Sequence, residues 1–172
     1  MDGFLNPNNV LNQMVLRSDM SGADLGCGSG GWAIPLAKKL KDGIVFAVDL
    51  LAEPLSALSG KAQMEKVGNI RAIRADVEKE VREIGPQSID LVLATNLLFQ
   101  AENKKEIILE AKRILKPAGK LLIVDWQAGA PSGPKGKEVS PAEIKKITEE
   151  AGFKFEQELD AGSWHFALVL LK

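Results

Sequence analysis

The strongest constraint on this chain's fold is a glycine cluster, Gly26-Cys27-Gly28-Ser29-Gly30-Gly31. It lies between a short apolar strand, about Met20 to Leu25, and a helix running from about Trp32 to Leu40. Glycines let a backbone turn tightly and approach a ligand with no Cβ in the way. Pro35 falls in the first turn of the helix, where a missing amide donor costs little. Gly26, Gly28 and Gly31 satisfy G-x-G-x-x-G, so the loop taken alone reads as a dinucleotide fingerprint. Asp24, just before the loop, separates the alternatives. A carboxylate there would repel a pyrophosphate held by the loop, and it suits a ligand with a cationic amino-acid end.

The rest of the chain alternates between strand and helix periods. Asn6-Pro7 reads as an N-cap with proline at the first helical position, opening a helix that carries Val10, Leu11, Met14 and Val15. Ile44 to Val48, closed by Asp49, is a continuous apolar run of the kind found in parallel strands buried on both faces. Pro54 opens a helix to about Lys66, and Ile70 to Arg74 is a third strand, followed by Ala75-Asp76-Val77. Glu78 to Ile84 reads as helix or loop, broken by Gly85-Pro86. Ile89 to Ala94 is the fourth strand. A helix from about Lys104 to Leu115 stops at the turn Lys116-Pro117-Ala118-Gly119, and Lys120 to Asp125 is the fifth strand. After a Gly/Pro-rich loop, Gln127 to Val139, the capping box Ser140-Pro141-Ala142-Glu143 opens a helix ending at Ala151-Gly152. Phe153 to Leu159 and Trp164 to Leu171 then flank Asp160-Ala161-Gly162-Ser163 as an antiparallel hairpin. These units predict a three-layer α/β sandwich, with ligands bound along the edge formed by the strand C-termini.

Composition removes several classes. A chain of 172 residues is one domain's worth of protein. The single Cys27 makes no internal disulfide, and no His/Cys cluster has zinc spacing, so no metal is expected. Twenty-two Lys and Arg against 23 Asp and Glu leave a net charge of −1, which offers no nucleic-acid footprint. No apolar run reaches the ~18 residues of a membrane span. Met1 to Leu11 lacks the basic and apolar regions of a signal peptide. The expectation is a cytoplasmic enzyme or binding domain with no membrane partner, its oligomeric state left open.

The run Asp24-Leu25-Gly26-Cys27-Gly28-Ser29-Gly30 resembles motif I of class I S-adenosylmethionine-dependent methyltransferases. Ile89 to Asn96 resembles that family's motif IV, and Leu115 to Leu121 its strand-five entry, with Ala118 where a second glycine is usual. The resemblance covers nearly the full length. It implies a Rossmann-like sandwich with a seven-stranded, mostly parallel sheet and an antiparallel final hairpin, as one domain over residues 1–172. It implies S-adenosylmethionine as cofactor, held by Asp24, Gly26, Gly28, Gly30, Asp49, Leu50, Asp76, Val77, Asn96 and Leu97. In that scheme the helix start takes the carboxylate, Asp24 the ammonium and Asp49 both ribose hydroxyls. Asp76 accepts from the adenine amino group, the Val77 amide lies near a ring nitrogen, and Leu50 and Leu97 pack on the adenine. Asp76 also suits a helix N-cap, and Cys27 reads as a small packing residue rather than a nucleophile.

The implied reaction is methyl transfer to a small-molecule acceptor. Thr95-Asn96-Leu97-Leu98-Phe99-Gln100 lacks the N-P-P-Y type signature, which disfavours adenine N6 and glutamine amides as acceptors. One cysteine disfavours arsenic. Leu97-Leu98-Phe99 suits an apolar or flat molecule, or simply starts a core helix. The acceptor site is expected between residues 1–19, a helical lid carrying Phe4, Asn8 and Met14, and Trp126 with the loop over 127–139. Lys135 and Lys137 of that loop read as solvated. His165 and Asp125 are the candidates for proton work. The alternatives are an NAD-dependent oxidoreductase and a non-catalytic S-adenosylmethionine-binding domain, with aminopropyl transfer disfavoured by Asp24.

Overall fold

The computed structural model describes residues 5–172. In chain order the elements are α1 (Pro7–Leu11), β1 (Gly22–Leu25), α2 (Ala33–Lys39), β2 (Val45–Asp49), α3 (Ala52–Met64), β3 (Ile70–Arg74) and β4 (Ile89–Thr95). They continue with α4 (Lys104–Ile114), β5 (Leu115–Trp126), α5 (Pro141–Glu150), β6 (Lys154–Leu159) and β7 (His165–Leu171). The strands form one seven-stranded sheet in the order β3-β2-β1-β4-β5-β7-β6. Only β7 runs against its neighbours.

Alternation along the strands sorts the core onto the two faces of the sheet. Ala23, Leu25, Val92, Ala94, Leu121 and Ile123 pack with Ile107, Ala111 and Ile114 of α4 and Ile144 of α5. Leu91, Leu93, Leu122 and Val124 pack with Val10 and Leu11 of α1, Leu36 of α2 and Leu58 of α3. This is the three-layer arrangement expected from the strand–helix alternation. The strand order reverses between β1 and β4, so the glycine loop after β1 and the residues after β4 border the crevice at that switch point. Because β7 is antiparallel, its first residue, His165, pairs with Trp126 at the end of β5 and so reaches the same edge.

Several local expectations need correction. Asn6 caps α1 through its side chain, but the helix ends at Leu11; Val15 is exposed beyond it rather than on a buried face. Of the two readings for residues 78–84, helix or loop, the loop is found: they form turns. They are pinned by Glu110, whose carboxylate accepts from the Val81 amide at 2.9 Å and pairs with Arg113 at 2.7 Å. Arg113 in turn donates to the carbonyls of Val81 and Ile84. The fifth strand begins at Leu115, directly after α4, and the expected turn is a bulge within it: Ile89 pairs with Leu115 and Leu91 with Lys120. Ala118 sits in the bulge at φ 60°. Only half of the capping box forms. Ser140 accepts from the Glu143 amide, while the Glu143 carboxylate lies 3.8 Å from Lys104 Nζ.

The edge strands β3 and β6 are largely exposed and carry Arg71, Arg74, Lys154, Glu156 and Glu158. Among the described residues no helix is long and apolar enough to cross a membrane. No group of three or more His, Cys, Asp or Glu residues among them is placed to hold a metal.

Candidate functional site

The glycine loop is fixed from the next strand. The amides of Gly26 and Cys27 donate to the Val48 carbonyl at 2.8 and 2.9 Å. Gly28 donates to Asp49 Oδ2 at 2.9 Å, and Leu51 to Asp49 Oδ1 at 3.0 Å. One carboxylate therefore ties the loop after β1 to the loop after β2. Each of its oxygens keeps a lone pair for a further donor. Gly26, at φ 71°, has a second reason to be glycine: a Cβ there would stand 2.7 Å from Leu97 Cδ1.

Beside this loop lies a cavity of about 350 Å³ lined by six of the expected residues, Gly26, Asp49, Leu50, Asp76, Val77 and Leu97. Asp76 accepts from the Glu78 amide at 3.0 Å and pairs with Lys79 at 2.9 Å, and that hydrogen bond to Lys79 holds its carboxyl below the usual range. No helix follows for Asp76 to cap; the Glu78 amide bond closes a turn instead. Glu78, Pro54 and Gln100 line the cavity as well and were not anticipated. Glu78 also grips the start of α4, accepting from the amides of Glu102 and Asn103 at 2.9 Å each. Its only trace in the sequence is its place two residues after Asp76.

Two buried acceptors stand unmet at the same edge. Asp24 is wholly buried at the end of β1, and neither carboxylate oxygen has a hydrogen-bond partner among the described residues. Burial pushes its pKa up to about 8; the nearby Ala33 amide pulls it back, and the charge of Asp49 raises it further. The same burial, with Asp24 and Asp49 adding repulsion, pushes the Cys27 thiol up, which leaves it protonated and unsuited to nucleophilic work. Asn96 follows β4 at φ 50°, and its Oδ1 is buried without a partner.

A second cavity, about 360 Å³, lies on the far side of Asn96. Asn96 lines this cavity and the next residue, Leu97, lines the first, so the turn after β4 partitions them. Trp32, Trp126 and Trp164 all line the second cavity, and these are every tryptophan in the chain. His165, the single histidine, is 4% exposed, with its ring centroid 4.1 Å from that of Trp126. Neither of its ring nitrogens has a hydrogen-bond partner among the described residues, and burial lowers its pKa, which favours the neutral imidazole.

Asp125, the other residue expected to move protons, lines neither cavity. Its carboxylate accepts from the amides of Trp126 at 2.8 Å and Phe99 at 3.2 Å, and burial raises its pKa to about 6. Of the amino-terminal segment, Leu5 and Pro7 line the second cavity. Asn8 is exposed, Phe4 lies outside the described residues, and Met14 packs at the opposite end of the strands, near Asp90 and Lys116. Ser132 brings the loop after β5 to the cavity, while Lys135 and Lys137 are exposed. Gly28 and Gly30 shape the loop at φ 51° and 87° without lining either cavity. Trp32 was not anticipated here; its position directly after the glycine loop was the available signal.

A family model described as "Methyltransferase domain" matches residues 23–119. A demethylmenaquinone methyltransferase from Staphylococcus aureus (strain MRSA252) is 25% identical over 156 residues, which are 90% of this chain and 62% of that protein. The chain thus spans less than two thirds of that relative's length. Among solved structures, a SAM-dependent methyltransferase from Aquifex aeolicus superposes with a TM-score of 0.88 at 22% identity, covering 98% of this chain and 90% of that one. A phosphoethanolamine N-methyltransferase 2 from Haemonchus contortus, in complex with S-adenosyl-L-methionine, gives 0.77 at 16% identity, covering 97% of this chain and 52% of that one.

Proposed function

The chain belongs to the methyltransferase domain family, and from that premise we propose that it transfers a methyl group from S-adenosylmethionine to a small-molecule acceptor. The observation that carries this reading is Asp24, a buried carboxyl with no hydrogen-bonded side chain or counter-ion among the described residues, behind a loop of left-handed glycines. Burial without a counter-ion penalises the ionised form of this carboxyl, and the ammonium of an amino-acid ligand supplies one. A dinucleotide would bring phosphates to the same place and deepen the penalty.

In this reading the first cavity takes the nucleoside. Asp49 accepts from the ribose hydroxyls with its remaining lone pairs, Asp76 and Val77 read the adenine edge, and Leu50 and Leu97 contact its ring. Asn96 Oδ1 meets a donor near the partition between the cavities. The bound cofactor supplies the electrophilic methyl group, and the protein's contribution is to hold it in line with an acceptor, where orientation is worth up to ~7–11 kcal/mol of barrier. Leu5 and Pro7 support a lid role at the start of α1, whereas Val10 and Leu11 belong to the core and Met14 packs at the opposite end of the strands. The Staphylococcus relative, named for demethylmenaquinone, supports an acceptor of small-molecule size.

Isothermal titration of the chain with S-adenosylhomocysteine and, separately, with NAD tests the reading. Saturable binding of the first and none of the second is expected. The reverse pattern would return the loop to the dinucleotide class.

A further inference from the structure

We propose that the cavity walled by Trp32, Trp126, Trp164 and His165 is the acceptor site, that it takes an uncharged planar aromatic hydroxyl compound, and that His165 receives the hydroxyl proton. This rests on the methyl-transfer reading and adds the acceptor's class and the base.

The aromatic content is 5%, with no tyrosine, yet all three tryptophans meet in this one cavity from positions 32, 126 and 164. Tryptophan faces favour flat partners stacked or set edge-on. No Asp, Glu, Lys or Arg among the described residues lines the cavity. A charged acceptor would therefore shed its water and gain no counter-ion. An uncharged ring loses nothing of that kind.

His165 supplies the polar function. A core histidine retained only for packing satisfies its ring nitrogens with neighbours, whereas here both are buried and unmet among the described residues, in a residue that borders the cavity. Neutral imidazole offers one N–H donor and one acceptor lone pair, which suits a hydroxyl. On the neighbouring strand Trp126 faces the ring. Asp125 is the nearest carboxylate along that strand, but it is in register with Phe166 and is held by the amides of Trp126 and Phe99. From the same side Gln127 donates to the His165 backbone carbonyl at 2.9 Å, leaving the ring alone. No ionised group among the described residues holds the imidazole in one charge state.

The step balances on these groups. The acceptor's oxygen forms the new C–O bond as the sulfonium C–S bond breaks, its electron pair staying on sulfur. The hydroxyl proton passes to the free ring nitrogen of His165, and the imidazolium then returns it to solvent. Phenolic hydroxyls ionise near pH 10, so a proton acceptor at the oxygen is needed at neutral pH.

The test uses the untagged chain saturated with S-adenosylhomocysteine, with 4-nitrophenol as probe and nitrobenzene as its hydroxyl-free control. Because every tryptophan lines the cavity, saturable quenching of the protein's emission by 4-nitrophenol is expected. His165→Asn should weaken 4-nitrophenol about tenfold and leave nitrobenzene and S-adenosylhomocysteine binding within about twofold. Should the variant fail to fold, the imidazole ¹⁵N resonances of the wild-type chain's single histidine report the same contact, and they should shift with 4-nitrophenol and not with nitrobenzene. Unchanged tryptophan emission in a chain that binds S-adenosylhomocysteine overturns the acceptor site. Unchanged imidazole resonances, or unchanged 4-nitrophenol affinity in a folded His165→Asn, overturn the role of His165. Failure to bind S-adenosylhomocysteine overturns instead the methyl-transfer reading beneath both.

Discussion

The Gly28 amide and Asp49 Oδ2 are 2.9 Å apart, and Asp49 Oδ1 holds the Leu51 amide at 3.0 Å, so one side chain positions both walls of the nucleoside cavity. Asp49 thereby orders the loop before any ligand arrives.

Replacing Asp49 with alanine removes the loop tether and the ribose acceptor together. Affinity for S-adenosylhomocysteine should fall by ~1.5–3 kcal/mol, the range for hydrogen bonds to a charged group. Calorimetric titration of the folded variant checks this, and an unchanged affinity would remove Asp49 from the ribose.

Asp24 makes the ligand-free protein sensitive to pH. Its native pKa of about 8 lies above the ordinary 3.8, so the folded chain holds this proton more tightly than the unfolded chain does. The contribution is complete below pH 3.8 and is lost as pH rises through about 8, at ~1.4 kcal/mol per pH unit inside that window. Asp24→Asn should flatten that part of the profile and raise the melting temperature at pH 8, while weakening S-adenosylmethionine. Thermal melts between pH 5 and 9 decide it.

The same carboxylate predicts proton release. Pairing with an ammonium favours the ionised form, so ligand binding at pH 7 should expel about one proton, and affinity should rise up to about tenfold per pH unit below the native pKa. Calorimetry in two buffers of different ionisation enthalpy counts the proton. A count of zero would place the ammonium elsewhere.

Asp125 is expected to act on stability. Asp125→Ala strands the buried amides of Phe99 and Trp126, at ~1–3 kcal/mol for each unsatisfied group. Urea denaturation should show this loss, with S-adenosylhomocysteine affinity little changed in the folded fraction.

Ala118 holds a left-handed conformation at φ 60° in the bulge of β5. Ala118→Gly should stabilise the protein by ~0.5–1 kcal/mol, as relief of the left-handed penalty outweighs the added freedom of the unfolded chain. Chemical denaturation measures the difference.

Much of this was legible in the residues themselves. Continuous apolar runs such as Val45–Val48 and Leu121–Val124 mark strands buried on both faces, and Asp24 with the glycines marks the ligand edge. What escaped depends on distance in sequence. Val15 matched the helical period, but α1 ends at Leu11 and nothing then holds Val15 against the core. The Lys116–Gly119 segment has turn chemistry, yet pairing of Leu115 with Ile89 draws it inside a strand. The tryptophan cavity could not be read locally, because Trp32, Trp126 and Trp164 meet only through the strand order and the reversal of β7. Glu78 and Gln100 are ordinary surface residue types, and only the folded wall gives them a place.

The charged borders of the sheet bear on how the protein behaves when crowded. Unpaired strand edges invite docking by other chains, and here Arg71 and Arg74 on one margin and Lys154, Glu156 and Glu158 on the other would each have to surrender water to accept a newcomer. Conversion of those margins to threonine or valine would remove that toll and favour edge-to-edge association, and at Arg74 it would also release the Leu50 carbonyl beside the first cavity.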